Sequence, residues 1–387
     1  MPYDFDKIIP RRQSDSHKWN EYDQSVLPLW VADMDFPAPP AVIQALHERI
    51  DHSIFGYARF DCDLYATMIE RLERLYAWQV QEDEILLFPG VMNAVHLTAL
   101  AVTQPGEAVM VQTPVYPYIY KTPHTTRRTR QVMQLTRAAC GSYAIDFDAF
   151  EAAITPETRL FILCNPHNPV GRVFRRPELE RMADICLRHN IIICSDEIHC
   201  DVLFAGHAHT PIASLSPEIA KNTLTMMSPS KSFNLAGLHC SFAIIQNPEL
   251  RRQIRDARMG LTGGANLLGQ LAARTAYQSG QEWLRELLIY LQGNRDYLFD
   301  AVKLGFPTLR MSPMEGTYLA WIDCRDSGIS GNPYDFFLKE ARIAFSDGAS
   351  FGPGGEGFVR LNFACPRALL NQALDQMHAA LARHGLA

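Results

Sequence analysis

IIICSDEIHCDVLF, residues 191–204, is the stretch from which the fold is read. An apolar run, Ile191 to Cys194, passes through Ser195 and ends at once on two carboxylates, Asp196 and Glu197. An unbroken apolar run of this length, bounded by polar residues, has the pattern of a strand buried on both faces. A carboxylate at the end of such a strand has to be paired or hydrogen-bonded, because stranding it unpaired in the interior is costly. Asp196 is thus read either as the cap of a following turn or as the partner of a cation, and His199, three residues on, can share its site.

Outward from this stretch the same pattern recurs in AVMVQTP (108–114), LFILCN (160–165), TLTMMSPS (223–230) and CSFAII (240–245). Between two of these runs, PELERMADICLRHN (177–190) opens with a proline suited to a first helical turn. It sets Leu179, Met182, Ala183, Cys186 and Leu187 on one stripe. Strands alternating with amphipathic helices predict an α/β fold, a large three-layer domain with a mostly parallel sheet. After residue 264 the pattern turns helical. TYLAWIDC (317–324) and GFVRLNFA (357–364) then predict strands of a smaller α+β unit, with a last helix from about 367. The first 40 residues, rich in proline and polar side chains, read as an arm. The predicted division is 1–40 as arm and part of the small domain, 41–284 as the large domain and 285–387 as the small carboxy-terminal domain.

The charge balance is acidic, 36 basic against 42 acidic residues for a formal charge of −6. Nonspecific nucleic-acid binding needs a basic face, so that partner class is excluded. There are 7 lysines against 29 arginines, which leaves few candidates for a reaction that needs a lysine. The nine cysteines are odd in number and none has Cys-x-x-Cys spacing, which fits a reducing cytoplasm and no metal. The amino terminus has no apolar signal core and no stretch of 18 apolar residues occurs, so neither secretion nor a membrane span is expected.

Four segments carry the chemistry. In FPGVMNAVHLTALAV (88–102), Pro89 and Gly90 open a helix near Val91, and backbone N–H groups at such a start cradle anions. In CNPHNPVGRVF (164–174), two prolines and Gly171 stiffen a turn that holds Asn165 and Asn168 just past a buried strand. The third segment is the opening stretch. The fourth, MMSPSKSFNLAGLHCSF, places Lys231 in a Ser/Pro/Gly-rich loop between two strands, 35 residues after Asp196, with the hydroxyls of Ser228 and Ser230 beside it. A lysine so placed suits Schiff-base chemistry next to a phosphate site.

In this order and spacing, NPxNPxG, SDE and SPSK resemble the fold-type I pyridoxal-phosphate enzymes of the class I/II aminotransferase superfamily, across essentially the whole chain. LPLWVADMDFPAPPAVIQAL (27–46), SDEIHCDV and RLNFACPR (360–367) further resemble the cystathionine beta-lyase branch, which includes the maltose-regulon modulator type. The resemblance implies pyridoxal 5′-phosphate as cofactor and gives the residues their roles. Lys231 matches the lysine that carries the cofactor as a Schiff base and then moves protons. Asp196 matches the acid on the pyridine nitrogen, and Asn168 the asparagine on the O3′ oxygen. Gly90, Val91 and Met92 match the phosphate-gripping helix start, with Ser228 and Ser230 adding hydroxyls. Tyr116 matches the ring stacked on the cofactor, and Tyr57, in FGYARF, the tyrosine lent to the phosphate by a neighbouring subunit. Arg360 matches the arginine that grips the substrate α-carboxylate. His199 stands where aspartate aminotransferases have a tyrosine. His239 replaces their phosphate-binding arginine, a departure that favours the lyase branch.

The implied activity is β-elimination from L-cystathionine or another L-cysteine S-conjugate, giving a thiol, pyruvate and ammonia. The alternatives are an aminotransferase, and a regulator acting through a protein partner. Tyr57 implies a homodimer with a shared active site. Four features read as non-catalytic or ambiguous. His207-Ala-His209 lacks a third ligand and is expected in a solvated loop, and Gly352-Pro353-Gly354-Gly355 in a turn. TTRRTRQ (125–131) is expected to be an exposed loop. Trp30, Asp33 and Asp35 belong to an arm that either closes over substrate or packs on another subunit.

Overall fold

The structure, a computed structural model, describes residues 3–58 and 61–386. Its strands are, in chain order, β1 (Leu27–Pro28), β2 (Ile85–Phe88), β3 (Ala108–Thr113), β4 (Thr129–Gln134), β5 (Thr136–Arg137), β6 (Tyr143–Ala144), β7 (Thr158–Cys164), β8 (Ile192–Asp196), β9 (Thr223–Met227) and β10 (Ser241–Ile244). They are followed by β11 (Arg310–Met311), β12 (Leu319–Asp323), β13 (Ile343–Ala344), β14 (Ser346–Asp347) and β15 (Phe358–Asn362). Seven form one sheet in the order β2-β10-β9-β8-β7-β3-β4, parallel throughout except for β10, which runs against both neighbours. Every residue of β2, β3, β9 and β10 is buried, as the apolar runs require of strands covered on both faces.

The register of this sheet brings the motifs together. Cys164 at the end of β7 pairs with Asp196 at the end of β8, and Asp196 pairs with Met226 near the end of β9. The segments after these three strands carry Asn168, His199 and Lys231, so residues far apart in sequence emerge side by side at the carboxyl edge. β2 delivers Gly90 to the same edge and β3 delivers Tyr116. Parallel strands joined by crossovers all end on one edge, which is where open α/β sheets bind ligands.

A second, antiparallel sheet, β11-β12-β15-β14, holds Arg360 on β15 between Trp321 and Ser346. Its core is aromatic: Trp321 stacks on Phe358 with centroids 4.9 Å apart. β1 pairs in parallel with β13, so the chain start joins the carboxy-terminal unit. The helix Gln281–Gly305 runs through the predicted 284/285 boundary. Among the described residues no helix is long and apolar enough to cross a membrane.

Two expectations are corrected. Thr129 to Gln131, expected in an exposed loop, begin the edge strand β4, whose pairing with β3 leaves only Met133 buried. His209, expected in solvent, is buried, with its Nε2 in a hydrogen bond of 2.7 Å to the Glu197 carboxylate. The arm packs on its own chain. Lys18 is buried with its Nζ 2.7 Å from Asp35, and Arg11 reaches Asp35 at 2.6 Å and Asp33 at 2.9 Å. Asn234 clamps it from the lysine loop, donating to the carbonyls of Met34 and Phe36 at 3.0 and 2.8 Å.

Candidate active site

A cavity of about 660 Å³ opens at the carboxyl edge of the large sheet, between it, the arm and the small sheet. Gly90, Val91, Met92, Tyr116, Asn168, Asp196, His199, Ser230, Lys231 and Arg360 all line it.

Lys231 enters from the loop after β9, and its Nζ donates to the carbonyl of Ala32 in the arm at 2.6 Å. Burial pushes its ammonium down to about 8; Arg360 adds to this, while Asp33 and Asp196 oppose it. Such an amine has a substantial neutral fraction near physiological pH, as a nucleophile or base requires. Asp196 projects from the last position of β8, and one oxygen accepts from the Ile198 N–H at 3.1 Å. Burial raises its carboxyl to about 6, against the effects of the Ile198 N–H and of Lys231. A buried carboxylate held by one backbone donor is short of a cationic partner, a place that the protonated nitrogen of a pyridine ring would fit.

The helix Val91–Val102 starts at Gly90 with no side chain capping its free N–H groups. No atom lies within 4 Å of where a Cβ on Gly90 would sit, so the chain leaves this space open. That suits a phosphate, which takes several N–H donors at a helix start. His239 lies nearby, with Nδ1 3.2 Å from the Pro89 carbonyl. Ser230 lines the cavity but Ser228 does not. The Ser228 hydroxyl donates to the Cys240 carbonyl at 2.7 Å and accepts from the Ser230 hydroxyl at 2.5 Å, so it braces the loop from behind.

On the opposite wall Arg360 donates to Asn168 Oδ1 at 3.0 Å, to the Trp30 carbonyl at 2.7 Å and to the Ser346 hydroxyl at 3.0 Å. Burial lowers its guanidinium to about 10, which leaves it charged at neutral pH, and its Nε has no partner. Burial, with Lys231 and Arg360, pushes His199 well below its usual range, so its imidazole is neutral. Tyr116 is raised to about 12 by burial and keeps its phenol proton. Tyr57 is fully exposed and does not reach this cavity within the chain.

Several lining groups carry no motif signal: His17, Tyr22 and Tyr334 meet only in the fold, where Tyr22 and Tyr334 share a hydroxyl contact of 3.2 Å. Asn362 donates to the Val31 and Asp33 carbonyls at 2.5 and 2.6 Å; its place two residues after Arg360 in RLNFACPR was the available signal.

A family model described as aminotransferase class I and II matches residues 24–377. This chain belongs to that family. Within it, the chain is 38% identical to the cystathionine beta-lyase PatB of Bacillus subtilis (strain 168), over 97% of this chain and 99% of the relative. Cystalysin from Treponema denticola, whose crystal structure contains a pyridoxal 5′-phosphate cofactor, matches with a TM-score of 0.95 at 32% identity, covering 99% of this chain and 100% of that one. The PLP-bound C-S lyase from Staphylococcus hominis matches with a TM-score of 0.92 at 31% identity, covering 98% of each. The three-layer fold of the pyridoxal-phosphate aminotransferase family is thus the fold of this chain.

Proposed function

We propose that this member of the family is a carbon–sulfur β-lyase, acting on L-cystathionine or related L-cysteine S-conjugates, with one water consumed, to give a thiol, pyruvate and ammonia. Pyridoxal 5′-phosphate is its cofactor. The observation that carries the lyase reading is the join at the cavity between the two lyase-like segments: Arg360 and Asn362 of RLNFACPR hold the carbonyls of Trp30, Val31 and Asp33 of LWVADMDF. The similarity to PatB and to the Staphylococcus hominis lyase supports the same reading.

Lys231 is the residue to bind the cofactor carbonyl, Asp196 to hold its ring nitrogen protonated, Asn168 its phenolic oxygen, and Gly90 to Met92 with Ser230 its phosphate. Bound there, the cofactor supplies an electron sink that makes the Cα proton of an amino acid removable. The chain's own groups do the rest. Arg360, fixed by Asn168, Ser346 and the Trp30 carbonyl, offers a planar grip to the substrate carboxylate and orients Cα toward Lys231. Lys231, once free as an amine, takes the Cα proton, and the Ala32 carbonyl receives the resulting ammonium. A thiolate on Cβ then has a leaving path. Were Lys231 instead to deliver that proton to the bound cofactor, transamination would follow, and the shared cradle keeps that as the second reading.

Incubating the holoenzyme with L-cystathionine and a panel of cysteine conjugates, with pyruvate coupled to lactate dehydrogenase, is the test. Pyruvate release supports the lyase; conversion of cofactor to its amine form without pyruvate supports the aminotransferase. We further propose that the working unit is a homodimer in which Tyr57 reaches the neighbouring site.

A further inference from the structure

Glu197 directly follows Asp196, the last residue of β8, and its N–H continues the ladder to the Met226 carbonyl at 2.9 Å, so the two consecutive side chains point to opposite sides. Asp196 lines the cavity and Glu197 does not. Glu197 is 0% exposed, yet its carboxylate is well satisfied. Oε1 accepts from the Ser195 hydroxyl at 2.8 Å and from the Ile212 N–H at 3.2 Å, and Oε2 accepts from His209 Nε2 at 2.7 Å. With the Ser195 hydroxyl and His209 Nε2–H oriented as donors beside the Ile212 N–H, which can only donate, the arrangement suits an ionised carboxylate. His209 is itself buried and its Nδ1 has no partner. A proton there would be an unpaired buried N–H, so the network selects the neutral imidazole protonated at Nε2. His209 then gives Glu197 a hydrogen bond but no countercharge, and the nearby Arg71 is matched by Asp201. The cluster holds one net negative charge directly behind Asp196.

We propose that Glu197, fixed by Ser195, Ile212 and His209, is a positioning residue for Asp196: its charge makes the Asp196 carboxylate a stronger acceptor for a cationic N–H in the cavity. This rests on the reading of Asp196 as the acid of the cofactor ring nitrogen. The direction agrees with the shift at Asp196, which burial raises first and Glu197 raises further. Of the other groups around Asp196, Lys231 opposes Glu197, while Cys164, Cys194 and Tyr116 are raised by burial and stay protonated. On the cavity side His199 is neutral. Tyr76 and Cys200, which face Glu197, are also raised by burial and uncharged.

The test is Glu197→Gln, of nearly the same size, compared with wild type for pyridoxal-phosphate affinity as a function of pH. Affinity falls on the acid side as Asp196 takes up a proton, and Asp196→Asn identifies that limb by removing it. Glu197→Gln is expected to bind the cofactor about three- to tenfold more weakly at neutral pH, with the acid midpoint moved down by about half to one unit. Loss of packing alone would lower Tm and leave the midpoint in place, and an unmoved midpoint overturns the proposal. Should the variant fail to fold, ¹⁵N signals of His209 in the wild-type holoenzyme decide: a neutral ring protonated at Nε2 is expected. An imidazolium there would cancel the charge and overturn the proposal. A wild-type chain that retains no pyridoxal phosphate would instead defeat the cofactor reading beneath it.

Discussion

Lys231 sits where two demands on an amine conflict, and the structure resolves them by burial. To bind a carbonyl it must be neutral; to return a proton it must become an ammonium. Its lowered pKa near 8, with the Ala32 carbonyl 2.6 Å away, serves both. Capture of pyridoxal phosphate by the apoenzyme is therefore expected to quicken about tenfold per unit as pH rises toward 8 and then to level, as read by stopped-flow absorbance. The sign follows from the amine: a lowered pKa leaves more neutral lysine at a given pH, and acid removes it. Lys231→Ala is expected to lose the visible absorbance of the covalently bound cofactor and about 10²- to 10⁴-fold or more of the elimination rate. Arg360→Lys keeps the charge but loses the planar fork on the substrate, and kcat/KM for cysteine conjugates is expected to fall about 10- to 100-fold, mostly through KM.

At the scale of elements, the site is a set of turns fastened to strand ends. The turn after β7 is pinned by Asn165, whose N–H donates to the Asp196 carbonyl and whose side chain accepts from Phe174 N–H, both at 3.0 Å. Gly171 in this turn has φ +74°, and a Cβ there would lie 2.9 Å from Met314. Gly171→Ala is expected to cost about 1–3 kcal/mol, visible as a lower urea midpoint, and to loosen Asn168 and with it Arg360. The buried strands β3, β7, β8, β9 and β10 were legible because each is an apolar run that gains by leaving water. β4 was not, since an edge strand keeps one side in solvent and its arginines read as a loop. His209 was misplaced for a similar reason: a lone histidine in a polar bend gives no sign of a partner twelve residues away on another element.

For the whole molecule, six of the large exposed apolar side chains among the described residues, Ile50, Ile54, Phe55, Tyr57, Met259 and Leu261, fall in two segments. The helices beside those segments, Pro40–Asp51 and Leu267–Ser279, pack on each other. An exposed apolar surface of this kind supports association with a second copy. Sedimentation equilibrium is expected to give a dimer, and mixing Lys231→Ala chains with Tyr57→Ala chains is expected to restore part of the activity that each lacks alone. Failure to complement would place Tyr57 outside the site. Taken by itself, the sequence determined the α/β class, the main buried strands and Lys231, Asp196 and Asn168 as candidates, because burial patterns and strand-end motifs are local; Arg360 came from the family resemblance. Only the tertiary structure decided that Ser228 braces the loop from behind, that the arm closes the cavity of its own chain, and that Glu197 and His209 lie behind Asp196. Those outcomes depend on which strand ends become neighbours and on which donors meet a buried acceptor, and neither is written in any one segment.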